Sequence, residues 1–141
     1  MKKYELTDEI KLHNGRTLHR IVALRDFGNV KIGDKGGWIE KEDNLSHTGS
    51  CWVYDNATVR GNAKVCSDAE IYNNKDYIVF KNWWSSGRYF TWTRSNNMWS
   101  VGCFYGSGDE LIKKAYADSE DKGKHYAEIV EYVNKCVLGN K

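Results

Sequence analysis

The sequence contains no proline, so its turns must come from glycine, asparagine and aspartate. It also lacks a long hydrophobic run: no stretch approaches the roughly 18 apolar residues of a membrane-spanning helix. No signal-type apolar region follows the first residues. The net charge of +2 is too small to attract nucleic acid or an anionic membrane by bulk electrostatics. We therefore expect a soluble intracellular chain with no membrane partner and no bulk nucleic-acid binding.

Chemical motifs are equally scarce. The four cysteines show no CxxC spacing, and no histidine pair has metal-ligand spacing. No Ser–His–Asp triad can be proposed from spacing alone. In a reducing compartment the cysteines are expected to be small, buried hydrophobic residues without disulfides. The sequence thus predicts no metal site, no cofactor and no catalytic residue.

A six-residue repeat runs from Cys51 to about Asp76. Aliphatic residues recur at every sixth position, a small residue follows each of the first three, and an asparagine or aspartate lies between the two. The aliphatic positions are Val53, Val59, Val65 and Ile71, and the small ones are Ala57, Ala63 and Ala69. A period of six matches neither a helix nor a strand. It is typical of a chain that forms three short strands per coil, and it predicts a parallel β-helix.

The repeat, with residues 33–40 and 44–46 before it, resembles hexapeptide-repeat proteins of bacteriophages and prophages. These proteins are similar to left-handed β-helix proteins and are often labelled acyltransferases. The resemblance covers about the first half of the chain and implies a viral protein in the cytoplasm of a bacterial host. Because the repeat makes fewer than two full coils, its ends must be covered by other segments or by another subunit. A homo-oligomer is expected.

The resemblance also raises the possibility of acyl transfer. Hexapeptide acyltransferases use a histidine as general base, and His47 is the only histidine near the repeat. However, the repeat is too short to provide the adjacent coils between which an acyl-CoA would lie. An enzyme is therefore not favoured, and a residual acyltransferase is kept only as an alternative.

One hairpin is predicted before the repeat and one after it. Asn14-Gly15, flanked by residues 10–13 and 16–24, is a strong hairpin signal, and the glycine-rich residues 26–37 after it read as a loop. A strand is predicted at residues 77–82, and residues 88–94 and 98–103 predict a hairpin around Asn96-Asn97. Pairing of Ser95 with Met98 would place Arg94 opposite Trp99, Trp92 opposite Val101 and Phe90 opposite Cys103.

Two helices are predicted after this hairpin. Ser107 and Glu110 have the spacing of a capping box, and apolar residues line one face of the helix that follows. A second apolar stripe runs from Tyr126 to Val137, and Gly139 marks its end.

Seven polar and aromatic residues near the second hairpin form the candidate binding set: Trp83, Trp84, Arg88, Tyr89, Arg94, Asn97 and Trp99. Tryptophan and tyrosine stack on planar ligands, arginine holds phosphate or carboxylate, and asparagine pairs with amide-like edges. The set suits a nucleotide-like ligand or a protein hot spot. The alternative is that Arg94 covers Trp99 by a surface cation–π contact while Trp83 and Trp84 cap the repeat.

The fold class predicted is mainly β with C-terminal helices (α+β). A short left-handed parallel β-helix at residues 45–76 is capped by an N-terminal β region at residues 1–44. A small antiparallel sheet with two helices follows at residues 77–141. The leading hypothesis for function is a non-enzymatic phage-type binding protein. The resemblance implies a counter-defence role, in which it sequesters a nucleotide-like signal or occludes a host defence protein. The alternative is a protein–protein assembly module.

Overall fold

The structure is a computed structural model that describes residues 2–84 and 86–139; Met1, Ser85, Asn140 and Lys141 lie outside the described residues. Ser85 belongs to the segment between the strand predicted at residues 77–82 and the hairpin predicted from residue 88. Within the described residues, ten strands precede two α-helices. The strands are β1 (Tyr4–His13), β2 (Arg16–Ala23), β3 (Lys35–Ile39), β4 (Trp52–Val53), β5 (Thr58–Val59), β6 (Glu70–Ile71), β7 (Tyr77–Lys81), β8 (Tyr89–Thr93), β9 (Met98–Val101) and β10 (Phe104–Gly106). The helices are α1 (Gly108–Asp118) and α2 (Glu120–Tyr132), with a 3-10 turn at Glu42–Asn44 and a π-helical turn at Val133–Val137.

The N-terminal hairpin is present where the sequence predicts it. Strands β1 and β2 are antiparallel, and His13 pairs with Arg16 across the turn. Asn14 and Gly15 have φ angles of 51° and 79°, the left-handed conformation that a two-residue hairpin turn requires. Strand β3 then pairs antiparallel with β2, and β5 pairs parallel with β3. These four strands form a mixed sheet, and β3 begins at Lys35, inside the segment predicted as a loop.

The repeat supplies most of the first hydrophobic core. Its aliphatic positions are buried, and so are its small residues: Cys51, Val53, Ala57, Val59, Ala63, Val65, Ala69 and Ile71. They pack with Tyr4 and Trp52 and with buried residues of the mixed sheet. Burial of this many apolar side chains is the main stabilising contribution of this half of the chain.

The prediction of a left-handed parallel β-helix is wrong. In the described residues, parallel pairing consists of two residue pairs between β3 and β5, two between β4 and β6, and an isolated bridge between Leu45 and Val65. These pairs do not join into a solenoid or a closed sheet. Strands β3 and β5 belong to the mixed sheet, and β4 and β6 form a separate two-stranded sheet. The six-residue period specified which side chains face the core, but it did not determine which strands pair.

The antiparallel sheet of the second half has the strand order β10-β9-β8-β7. The predicted strand at residues 77–82 is confirmed as β7, but the predicted register between β8 and β9 is wrong. Trp92 pairs with Trp99, and Thr93 pairs with Met98, across a four-residue loop. Of the two asparagines in that loop, only Asn97 has a positive φ, so they do not form a two-residue turn. The longer loop changes every residue pair of the hairpin.

The C-terminal helices are confirmed and pack on this sheet. Ser107 accepts a hydrogen bond from the Glu110 backbone N–H, and the Glu110 side chain accepts one from the Ser107 backbone N–H, as a capping box requires. Leu111 and Ala115 of α1 and Tyr126 of α2 are buried against the sheet residues Phe90 and Trp99. This second core is distinct from the first.

Polar contacts connect the repeat to the antiparallel sheet. The Lys64 backbone N–H donates to Thr91 Oγ1 at 3.0 Å, and the Glu70 backbone N–H donates to Ser95 Oγ at 2.8 Å. The Tyr77 hydroxyl donates to the Thr58 carbonyl at 3.0 Å. These bonds place the repeat against the face of the antiparallel sheet that carries Tyr77 and Thr91.

The prediction that the cysteines are buried holds only in part. Cys51 is buried, Cys66 is half-buried, and Cys103 and Cys136 are exposed. Cys103 follows the turn residue Gly102, and Cys136 lies in the π-helical turn, so neither reaches a core. In the part of the chain that the structure describes, none of the helices is long and apolar enough to cross a membrane.

Candidate functional site

A pocket of about 600 Å³ lies between the β9–β10 hairpin and the two helices. This is within the range of about 300–1,000 Å³ that is typical of small-molecule sites. We call it the Arg88 pocket, and its lining residues are Arg88, Val101, Cys103, Phe104, Tyr105, Leu111, Lys114, Ala115, Asp118, Lys122 and Tyr126. The helical members follow a spacing of three or four residues, so α1 and α2 each present one face to it.

Arg88 is positioned by the turn that precedes β10. Gly102 has a φ of 56°, and a Cβ atom added to it would lie 3.0 Å from Arg88 Nε. The guanidinium therefore lies over the bare backbone of this glycine, in a space that a side chain would occupy. The exposed Arg88 side chain remains at the mouth of the pocket.

The mouth of the pocket is positively charged. Lys122 Nζ lies 2.6 Å from Asp118 Oδ2, and this hydrogen bond lowers the pKa of the Asp118 carboxyl below its usual value. Among the described residues, neither Arg88 nor Lys114 has a carboxylate within 4.0 Å. Two cations therefore remain available to an anionic ligand, and arginine can hold a phosphate or carboxylate with two parallel hydrogen bonds.

The walls of the pocket are aromatic. Phe104 is half-buried, so part of its ring could contact a ligand. Tyr105 follows it on the opposite face of strand β10, where its hydroxyl accepts a hydrogen bond from Asn96 Nδ2 at 3.1 Å. Tyr126 is buried beneath Phe104, held by an edge contact with Phe90 at 4.8 Å between ring centroids. Lys122 Nζ lies 5.5 Å from the Tyr126 ring centroid. The arrangement can hold an anionic group at its mouth and a planar group along its wall.

The structure does not bring the seven predicted site residues together. Arg88 lines the pocket, and Tyr89 lines the two neighbouring depressions. Trp83 and Trp84 line a different depression with Phe80, His125 and Tyr132. There Trp84 stacks on His125 with 4.2 Å between ring centroids, while Trp83 is 78% exposed.

The predicted pairing of Arg94 with Trp99 is wrong, and Trp99 is not accessible to a ligand. Trp99 is only 1% exposed and lies in the second core against Phe80 and Phe90. Because the loop is longer than predicted, Trp99 pairs with Trp92. The Arg94 guanidinium lies 5.6 Å from the Trp92 ring, and the Trp92 Nε1–H donates to Asn97 Oδ1 at 2.8 Å. These polar groups cover the end of the core.

His47 is held by its neighbours in a way that does not suit a general base. The Lys3 backbone N–H donates to His47 Nδ1 at 3.1 Å, and His47 Nε2 lies 2.8 Å from Glu42 Oε2. Hydrogen bonds from His47 and Lys2 lower the pKa of the Glu42 carboxyl below its usual value. The ring also stacks on Tyr4 at 4.2 Å. Both ring nitrogens therefore have partners already, and His47 connects the start of β1 to the 3-10 turn at Glu42–Asn44.

Most residues of the pocket were not singled out by the sequence. Lys114 and Lys122 belong to different helices, and Phe104 and Cys103 have no motif around them. Tyr126 was predicted only as part of a packing stripe. Lys114 and Asp118 have the four-residue spacing of one helix face, which is a signal that could have found them. Lys122 lies beyond the helix break at the extended residue Ser119, so no helical spacing relates it to them. In the described part of the chain, no group of three or more His, Cys, Asp or Glu residues could hold a metal ion.

Comparison with known proteins gives limited similarity. No protein-family profile matches the chain. The chain is similar to the uncharacterized acetyltransferase YdcK of Escherichia coli (strain K12), with 35% identity over 80 residues. The aligned part makes up 50% of this chain and 24% of that protein, so the chain spans about a quarter of the length of this curated relative. The similarity relates half of the chain to an acyltransferase-like hexapeptide protein.

Proposed function

We propose that this chain is a non-enzymatic binding protein that holds a nucleotide-like anion in the Arg88 pocket. The observation that carries the proposal is the exposed Arg88 guanidinium, which has no carboxylate within 4.0 Å among the described residues and lies beside aromatic side chains. A charged group left without a counter-ion beside a concave surface is suited to binding an anion.

The two parts of such a ligand match two parts of the pocket. A phosphate would accept hydrogen bonds from Arg88 and Lys114, and the base would lie along Phe104. The proposal keeps Arg88 from the set that the sequence predicted and replaces the other contacts with residues from β10 and the helices. Acyl transfer is not proposed, because both ring nitrogens of His47 have partners.

The biological setting remains a proposal that the resemblance supplies. A bacteriophage protein of this kind would sequester a nucleotide-like signal of host defence. The YdcK similarity does not bear on phage origin. Binding in the Arg88 pocket can be tested without reference to that setting.

The test is isothermal titration of the purified chain with AMP, with inorganic phosphate as the simpler anion. We expect AMP to bind more tightly than phosphate, because only AMP can also contact the aromatic wall. A hydrogen bond to a charged group contributes about 1.5–3 kcal/mol, so Arg88→Gln should weaken AMP binding by about 10- to 150-fold. Arg94→Gln is the matched control, since Arg94 lies over Trp92 outside the pocket.

A second readout uses the two exposed cysteines. Cys103 lines the Arg88 pocket and Cys136 does not, so AMP should slow alkylation of Cys103 while leaving Cys136 unchanged. The proposal is contradicted if AMP does not bind at millimolar concentration. It is equally contradicted if Arg94→Gln weakens binding as much as Arg88→Gln does.

A further inference from the structure

We infer that the nucleotide held in the Arg88 pocket is part of a single-stranded nucleic acid, whose backbone continues along a basic trough beside it. This inference rests on the proposed function and adds the class of ligand. It depends on how three depressions of the surface connect and on which charges line them.

The three depressions adjoin one another, because each shares lining residues with the next. The Arg88 pocket shares Arg88 with a depression of about 250 Å³ that also contains Lys64 and Tyr89. That depression shares Asn62 and Tyr89 with a third one of about 430 Å³, which contains Arg16 and Arg60. We call the three together the basic trough. It extends from the helices, around the end of the sheet at Arg88 and Gly102, to the face of the sheet that lies against the repeat.

Basic side chains line each of the three depressions of the trough. Its cations are Arg16, Arg60, Lys64, Arg88, Lys114 and Lys122. Arg16 is paired with Glu40 at 2.8 Å, and Lys122 is paired with Asp118. In residues 2–84 and 86–139, the other four have no carboxylate within 4.0 Å. Among the described residues that line the trough, Asp118 alone is acidic.

The net charge of +2 is a sum over the whole chain, so it does not show that basic residues are concentrated in the trough. Acidic residues nearly balance the basic ones in the whole chain, but apart from Asp118 those described lie outside the trough. A polyanion bound in the trough interacts with the positive charge of the trough lining, and the small net charge of the whole chain does not describe that interaction. Neutralising phosphates with such a row of cations releases counterions, and this makes binding favourable at low salt.

Aromatic side chains are interspersed with these cations. Tyr89 lies where the second and third depressions meet, Tyr77 lines the third, and Phe104 lines the first. A positively charged groove that tracks the backbone, with aromatic rings on which bases stack, is the usual design of single-strand binding proteins. An unpaired strand offers base faces to these rings, whereas a duplex keeps its bases stacked inside. The aromatic lining therefore favours a single strand over a duplex.

The experiment measures fluorescence anisotropy of labelled oligonucleotides of about ten residues, within the range of known single-strand sites. Oligothymidylate and oligouridylate are both used, so that DNA and RNA are distinguished. The full chain should bind at least one of them more tightly than AMP. With about four phosphates neutralised, log affinity should fall with log salt at a slope of about −3.

The decisive variant is Arg60→Gln combined with Lys64→Gln. It should weaken oligonucleotide binding and reduce the salt slope by about 1.4, which is two phosphate contacts. AMP binding should not change, because neither residue lines the Arg88 pocket. The matched control is Lys31→Gln with Lys124→Gln, which removes the same charge from exposed positions outside the trough.

The outcomes separate the inference from the proposed function. If AMP binds through Arg88 but oligonucleotides bind no more tightly, or the decisive variant behaves like its control, the inference is overturned and the proposed function stands. If oligoglutamate binds as tightly and loses affinity equally in the decisive variant, the trough binds polyanions in general, and the inference is also overturned. If neither AMP nor an oligonucleotide binds, the proposed function itself fails.

Discussion

Replacement of Trp99 with alanine should destabilise the fold strongly, although the sequence placed this residue in a binding set. A tryptophan side chain buries about 150–250 Å², which at about 25 cal/mol per Å² is worth about 4–6 kcal/mol. Trp99 is 1% exposed and contacts Phe80 and Phe90, so removal of its side chain should lose nearly all of this burial free energy. Measured losses for such truncations are about 3–5 kcal/mol, and we expect Trp99→Ala to fall in that range.

The assay is urea unfolding followed by far-ultraviolet circular dichroism, which does not depend on the fluorescence of the deleted tryptophan. With a denaturant slope of about 2 kcal/mol per molar, the midpoint should fall by about 2 M. Trp83→Ala is the matched control. Trp83 is 78% exposed, so its replacement should change the free energy of unfolding by no more than about 0.5 kcal/mol.

Two outcomes decide the matter. If Trp99→Ala moves the midpoint no further than Trp83→Ala, Trp99 is not a core residue and the packing described for the second core is wrong. Should Trp99→Ala fail to fold at all, Trp99→Phe keeps an aromatic ring and should fold with a smaller loss. A Trp99→Phe variant as stable as the original chain would contradict the tight packing of the indole.

Two further predictions concern the first core. Gly37→Ala should cost about 1–3 kcal/mol by overpacking, since the new Cβ would lie 2.7 Å from Val53 Cγ1 and closer still to the Ala57 carbonyl oxygen; an unchanged unfolding midpoint would refute this. Burial raises the pKa of Tyr54 to about 12 and raises that of Tyr77, whereas unfolded tyrosine ionises near pH 10. Their contribution to stability is therefore present below about pH 10 and lost as the pH rises toward 12. Urea unfolding across that pH range should show a falling free energy, and a steady rise would contradict the assignment.

Local signals in the sequence were interpreted correctly. Asn14-Gly15 predicted the first hairpin because few residues adopt a positive φ, and the structure has both residues in that conformation. Ser107 predicted the start of α1 because its hydroxyl can satisfy a free backbone N–H three residues later. The repeat predicted which residues are buried, because a regular spacing of aliphatic and small residues needs a common interior.

Pairing between distant segments was not predicted correctly. The β-helix was inferred from the period alone, but β3 pairs with the N-terminal hairpin as well as with β5. The hairpin register failed for a related reason. The sequence of its loop is compatible with two or four residues, and packing of Trp92 and Trp99 into the second core selects the longer one.

The candidate site depended still more on distant contacts. Arg88 was found from the sequence because an arginine among tryptophans is chemically conspicuous. Its partners in the pocket come from β10, α1 and α2, which no spacing in the sequence relates to it. Arg60 and Lys64 occupy outward-facing positions of the repeat, where a basic residue is expected simply to contact solvent, so the sequence did not indicate a role for them.

The sequence by itself determined the turns, the helix start and the inward-facing residues, because each depends on neighbours a few positions away. Only the tertiary structure decided which strands pair, whether Trp99 is buried, and that cations from distant segments line adjoining depressions. These depend on contacts between residues far apart in the chain, whose free energies are set by packing and by which face each element presents. A net charge or a repeat period averages over such placement, and so neither could reveal the trough.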